Sequence, residues 1–125
     1  MKTIKRILVP VGVEQSAVAL LAAGRAIAAE VAMVGVIPIP PGESLSAGAA
    51  AARQMRQRLL ALGNQVQPLQ VSVIVTSAPW QDLRALISED QPDLLLLAWS
   101  GIEALWGMPV AEILHNPACD IAILR

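Results

Sequence analysis

Asp93-Leu94-Leu95-Leu96-Leu97-Ala98 is an almost wholly apolar run. It leads into Trp99-Ser100-Gly101, then Ile102–Trp106, then Gly107-Met108-Pro109 and a short helical pattern. A strand that is apolar on both faces belongs in a parallel sheet covered by helices on both sides. A strand, a glycine-bearing loop and a helix start are also the parts from which α/β proteins build an anion cradle. Nucleotide binding is therefore the first question the chain raises. The loop itself argues against it: its glycines are sparse, a hydroxyl is missing where one is wanted, and Trp99 and Trp106 intrude.

Outward from this stretch the chain alternates strands and helices. Ile4–Val11 reads as a strand ended by Gly12, and Glu14–Glu30 as a helix. The stripe of that helix is Leu20, Leu21, Gly24, Ile27, Ala28 and Val31, with Gln15 and Arg25 off it. Gly24 costs about 1 kcal/mol against alanine, so a close approach of helix to sheet is expected there. Val31–Ile39 is the second strand, and Pro38, Pro40, Pro41 and Gly42 open a loop. Ser44 or Ser46 caps a helix running to Leu62, with Ala49, Ala52, Met55, Leu59 and Leu62 on one stripe and Gly63-Asn64 as its stop. Gln70–Thr76 is the third strand, and Ser77 caps a helix over Pro79–Glu89 that Gln91-Pro92 breaks. Asp93–Ala98, a helix over Pro109–His115 and a strand over Asp120–Leu124 complete the order. Alternation of this kind predicts a parallel α/β sheet covered on both faces, with right-handed crossovers. Its ligand site falls beyond the strand ends, at Pro10–Val13, Pro38–Gly42 and Ala98–Met108.

Composition narrows the function classes. The 125 residues suit one domain, 1–125, and a hydrophobic fraction of 55% supports a real core. Phe and Tyr are absent, so aliphatic residues and alanine carry that core. A net charge of −1 gives no footprint for nucleic acid, and Arg53, Arg56 and Arg58 read as a solvated helix face. The lone Cys119 fits a reducing, cytoplasmic setting. The basic start before Ile7–Val13 lacks a cleavage site and is interrupted by Pro10 and Gly12. Ala17–Ile39 is long and apolar but contains Arg25 and Glu30, and a central charge costs about 2.5–3.5 kcal/mol on insertion scales. That segment reads as a buried helix and strand, with no membrane insertion.

Ile7-Leu8-Val9-Pro10-Val11, Asp93–Ala98, and the terminal blocks Val110–Leu114 and Cys119–Arg125 resemble the universal stress protein family over the whole chain. The resemblance implies a flavodoxin-like three-layer α/β/α sandwich with a five-stranded parallel sheet in the order 3-2-1-4-5. The family's nucleotide-binding branch carries Gly, two residues, Gly, nine residues, then Gly-Ser or Gly-Thr. Those positions fall here on Ala98, Gly101 and Gly107-Met108, and five residues separate Gly101 from Gly107. An Asp often follows the first strand in the family, where Val11 is followed here by Gly12 and Val13. Val11, Gly12, Ala98, Gly101, Gly107 and Met108 thus outline a degenerate nucleotide site. Losing two or three charged hydrogen bonds removes roughly 4–7 kcal/mol. A micromolar ligand has only about 8 kcal/mol to lose, so ATP or AMP is expected to bind weakly at best, and no cofactor is assigned.

The remaining candidates carry less. His115 and Cys119 are four apart, with Pro117 breaking the chain between them, and a metal site needs further ligands. They read as a surface His and a buried Cys, and no catalytic or metal residue is assigned. Asp82, Glu89 and Asp90 read as a solvated helix face, Asp93 as a strand-edge residue and Trp80 as packing. Trp99 or Trp106 is expected to narrow the vacated pocket, and Trp99, Ile102, Leu105 and Trp106 to offer a protein-binding surface. The strand Asp120–Leu124 shows no internal charge or proline and is expected to pair a homodimer. The expected function is a non-enzymatic regulatory or interaction domain of the stress type. The alternatives are a nucleotide-gated switch and a regulatory domain beside a membrane transporter.

Overall fold

The apolar runs form strands β1 (Arg6–Gly12), β2 (Glu30–Pro38), β3 (Leu69–Thr76), β4 (Leu94–Ala98) and β5 (Asp120–Leu124). The helices are α1 (Ala17–Ile27), α2 (Ala49–Gly63), α3 (Pro79–Asp90), α4 (Ile102–Trp106) and α5 (Val110–His115). The structure is a computed structural model that describes residues 3–63, 69–115 and 119–125. Asn64 and Pro117, expected as a helix stop and a chain break, lie outside the described residues. All strands are parallel, in the order β3-β2-β1-β4-β5, the flavodoxin-like arrangement.

Side-chain alternation sorts the core into two layers. Ile7, Val9, Val11, Met33 and Leu96 pack with Leu20 and Leu21 of α1 and with Met55 and Leu59 of α2. Leu8, Val34, Val36, Leu95 and Leu97 pack on the opposite face with Leu83, Ile87, Trp106 and Ile113 of α3, α4 and α5. In that second layer Trp80 and Trp106 meet edge to face, centroids 5.5 Å apart at 75°. No helix among the described residues is long and apolar enough to cross a membrane.

Several local expectations change. The first helix is shorter than Glu14–Glu30. It starts after Ser16, whose Oγ accepts the Ala19 N–H (3.1 Å), and it ends before Glu30, whose N–H donates to the Lys5 carbonyl (3.1 Å). The β1–β2 ladder thus claims the residue the helical period offered. Ser44 starts a 3₁₀ turn over Leu45–Gly48 that leads into α2. Ser77 does not cap α3. Thr76 Oγ1 accepts the Ala78 N–H (2.9 Å) and donates to the Asp82 carboxylate, which takes Asp82 off the solvated face.

Asp90 and Asp93 are also tied into the structure, at the N-terminal edge of the sheet. Arg6 donates through Nε and Nη2 to both Asp90 oxygens (2.8 and 2.7 Å) and through Nη2 to Gln70 (2.7 Å). The hydrogen bond to Asp90 raises the Arg6 pKa against the opposing effect of burial. Asp93 accepts the Lys5 and Arg6 N–H groups (2.9 and 3.1 Å). These bonds join the ends of β1, β3 and α3 to the start of β4.

Gly24 does not mark a close approach. A Cβ there would meet Val9, Val31 and Ile7 at 3.5–3.7 Å, which is ordinary contact. The tight glycines are elsewhere: a Cβ at Gly35 would fall 2.2 Å from Met55 Cγ, and one at Gly48 would fall 2.6 Å from Val75. Gly24→Ala is therefore expected to stabilise the protein by about 1 kcal/mol through helix propensity. Gly35→Ala is expected to destabilise it by about 1–3 kcal/mol through overpacking. Urea denaturation of the two variants checks the opposite signs.

Candidate functional site

β1 stays in register with β2 as far as Gly12, but with β4 only through Ile7–Leu94 and Leu8–Leu95. Beyond Leu95 that ladder ends, at the point where strand order reverses. A cavity of about 300 Å³ opens there, lined by Gly12, Val13, Glu14, Gln15 and Pro38 on one side and Ser100, Gly101, Ala104 and Leu105 on the other. Two larger hollows, about 830 and 480 Å³, lie along Trp80, Arg84 and Met108 away from the strand ends. Topology favours the smaller one, because ligands of open α/β sheets sit at the switch point.

Three groups shape this end of the sheet, two of them lining the crevice. The first is Gln15, buried at 8% exposure. Its Oε1 accepts the Gly12 N–H (2.9 Å) and its Nε2 donates to the Ser100 carbonyl (2.8 Å). One amide thus laces the loop after β1 to the loop after β4. The second is Leu105, whose two methyls would lie 3.1 Å from any Cβ at position 12. A side chain there, such as the acid expected by resemblance, requires the Leu105 methyls to give way by a few tenths of an ångström. The third is Glu103, whose Oε2 accepts the Val110 N–H (2.8 Å) in the first turn of α5. The chain's own carboxylate holds the amide that an anion would use.

The loop after β1 is pinned from below. Arg58 donates to the Val13 and Gln15 carbonyls (3.0 and 2.6 Å), so it departs from the solvated face expected of it, on which Arg53 and Arg56 remain. Its charge serves the loop's main chain. Among the described residues, the cavity lining has one carboxylate, Glu14, and no cationic side chain.

Gly12 and Gly101 come together at the crevice. Val11 is fully buried in the layer under α1, and Ala98 is half-buried against the same layer. Gly101 and Gly107 adopt left-handed φ of 68° and 69° and bracket α4, a helix in a stretch that the sequence predicts as loop. This short helix turns Met108 away, toward the hollow beside Trp80.

Two expectations about the tryptophans are corrected. Trp106 packs on Trp80 in the core, and Trp99 lies on the surface with the Arg125 guanidinium 5.2 Å from its ring centroid. Neither ring lines the crevice, and the residue that narrows it is Leu105. The surface expected of Trp99, Ile102, Leu105 and Trp106 does not exist as such. Ile102, Leu105 and Trp106 are 4%, 8% and 3% exposed, because α4 turns its apolar face onto the sheet ends. His115 is exposed and Cys119 half-buried, and the residues between them lie outside the described ones.

Sequence reasoning missed Gln15, Glu103 and Arg58 as site residues. Gln15 sits three residues past Gly12, a local signal for a turn, but its bond to Ser100 spans 85 positions and leaves no local pattern. Glu103 precedes Val110 by seven residues, a spacing that means something only once α4 is known to be helical.

Comparison with known proteins agrees with this geometry. The profile of the universal stress protein family matches residues 3–125. A search among curated proteins returns no significant match. With a profile match over nearly its full length and the sheet order 3-2-1-4-5, the chain belongs to the universal stress protein family.

Proposed function

We propose that this is a regulatory domain of the universal stress type that acts through protein contacts, without catalysis and without tight ATP binding, in the cytoplasm. The observation that carries the reading is the occupation of the crevice by the chain itself. The Gly12 N–H and the Ser100 carbonyl are both taken by Gln15, and no cationic side chain among the described residues lines the cavity. A triphosphate entering there would meet the Glu14 carboxylate in place of cationic donors. Repulsion of that sign compounds the want of a glycine at Ala98, a carboxylate at Gly12 and a hydroxyl at Met108.

Calorimetric titration with ATP and with AMP is the direct test. The expected outcome is no saturable binding below roughly millimolar ligand. A low-micromolar dissociation constant would overturn the reading in favour of a nucleotide-gated switch.

A second element of the proposal is a homodimer through β5. This strand forms one edge of the sheet and has β4 as its strand neighbour. Ile121, Ala122, Ile123 and Leu124 are all half-buried, and no Lys or Pro guards the run. Antiparallel pairing of two copies across a two-fold axis closes the assembly and covers both edges. Sedimentation is expected to show a dimer at roughly tens of micromolar, well above a micromolar dissociation constant. Ile123→Lys is expected to shift the equilibrium toward monomer, and a wild-type protein that sediments as a monomer at that concentration would refute the pairing.

A further inference from the structure

We propose that Gln15 is a built-in occupant of the crevice, and that the site it fills fits a compact, uncharged ligand bearing a carboxamide. The inference rests on the reading that polyphosphates are excluded, and it adds what the site accepts in their place. Gln15 and both of its partners, Gly12 and Ser100, line the same 300 Å³ cavity. With the Gln15 side chain withdrawn, the Gly12 N–H and the Ser100 carbonyl present one donor and one acceptor to a single small group. A primary amide matches that pair, because its oxygen accepts and its nitrogen donates. A carboxylate does not match, since it has no proton for the Ser100 carbonyl and would sit near Glu14.

The surroundings define the rest of the ligand. Leu105, Ala104, Val13 and Pro38 make the walls mostly apolar, and the volume is at the small end of ligand cavities. A flat ring with an amide substituent has that shape and polarity. In the resting chain Gln15 satisfies both polar groups from within, and its truncation removes the partner of the buried Gly12 N–H and of the part-buried Ser100 carbonyl. A ligand that restores two such bonds recovers the free energy their loss costs.

The probes are nicotinamide, which carries the head group of Gln15 on an aromatic ring, and nicotinic acid, which replaces that amide with a carboxylate. Calorimetry or ligand-observed NMR compares wild type with Gln15→Ala. Two restored hydrogen bonds should tighten nicotinamide binding by about tenfold in the variant. Nicotinic acid should bind the variant about tenfold more weakly than nicotinamide. If Gln15→Ala does not fold, Gln15→Asn gives the same comparison, since it is one methylene too short to span both partners. Equal nicotinamide affinity in wild type and variant, or nicotinic acid binding as well as nicotinamide, would overturn the inference. Tight ATP binding by the wild type would instead overturn the reading on which it rests, so the two failures are distinguishable.

Discussion

A parallel strand buried on both faces has no place for a polar side chain along its length. In this chain that constraint governs β1, β2 and β4, whose interior positions are almost entirely buried and apolar. Polar chemistry is left to the two ends of the sheet. At the N-terminal end it is structural, with Arg6 and Asp93 joining β1, β3, β4 and α3 through charge-assisted hydrogen bonds. At the C-terminal end lies the crevice, where the ladder between β1 and β4 stops short.

An open switch point is a structural liability as well as an opportunity. Main-chain groups at the diverging strand ends lose their ladder partners and must find others. A ligand can supply them, and here the protein does so. Gln15 spans the gap, Glu103 holds the first turn of α5, and Arg58 holds the loop from beneath. Among the described residues no buried side-chain nitrogen or oxygen lacks a partner. The crevice is thus laced by specific hydrogen bonds as well as narrowed by Leu105.

The strands and the sheet order were legible because burial on both faces writes itself as unbroken apolar runs, as in Leu94–Leu97. Family resemblance then chose the order from the few topologies that handedness allows. What failed was local in one sense and long-range in another. The helical period carried Glu30 into the first helix, although strand pairing with Arg6 outweighs it. Asp82 and Asp90 looked like solvent-facing acids because their partners, Thr76 and Arg6, are set by tertiary contacts. At the site, the departures at Gly12 and Met108 were visible, but the groups that stand in for the missing ones were not. Trp99 and Trp106 drew attention by size, whereas the space was taken by Leu105, which α4 alone aims at Gly12.

The contact between Leu105 and Gly12 also bears on how such a site changes over generations. A side chain at position 12 presses on the Leu105 methyls at 3.1 Å, while shrinking Leu105 with glycine at 12 leaves a cavity over the strand ends. The two positions are therefore coupled: what a larger residue at 12 does to packing is set by how far the Leu105 side chain gives way. Coupling of this kind means that substitutions at 12 and 105 are tolerated best as a pair, so the two sites are expected to change together rather than singly.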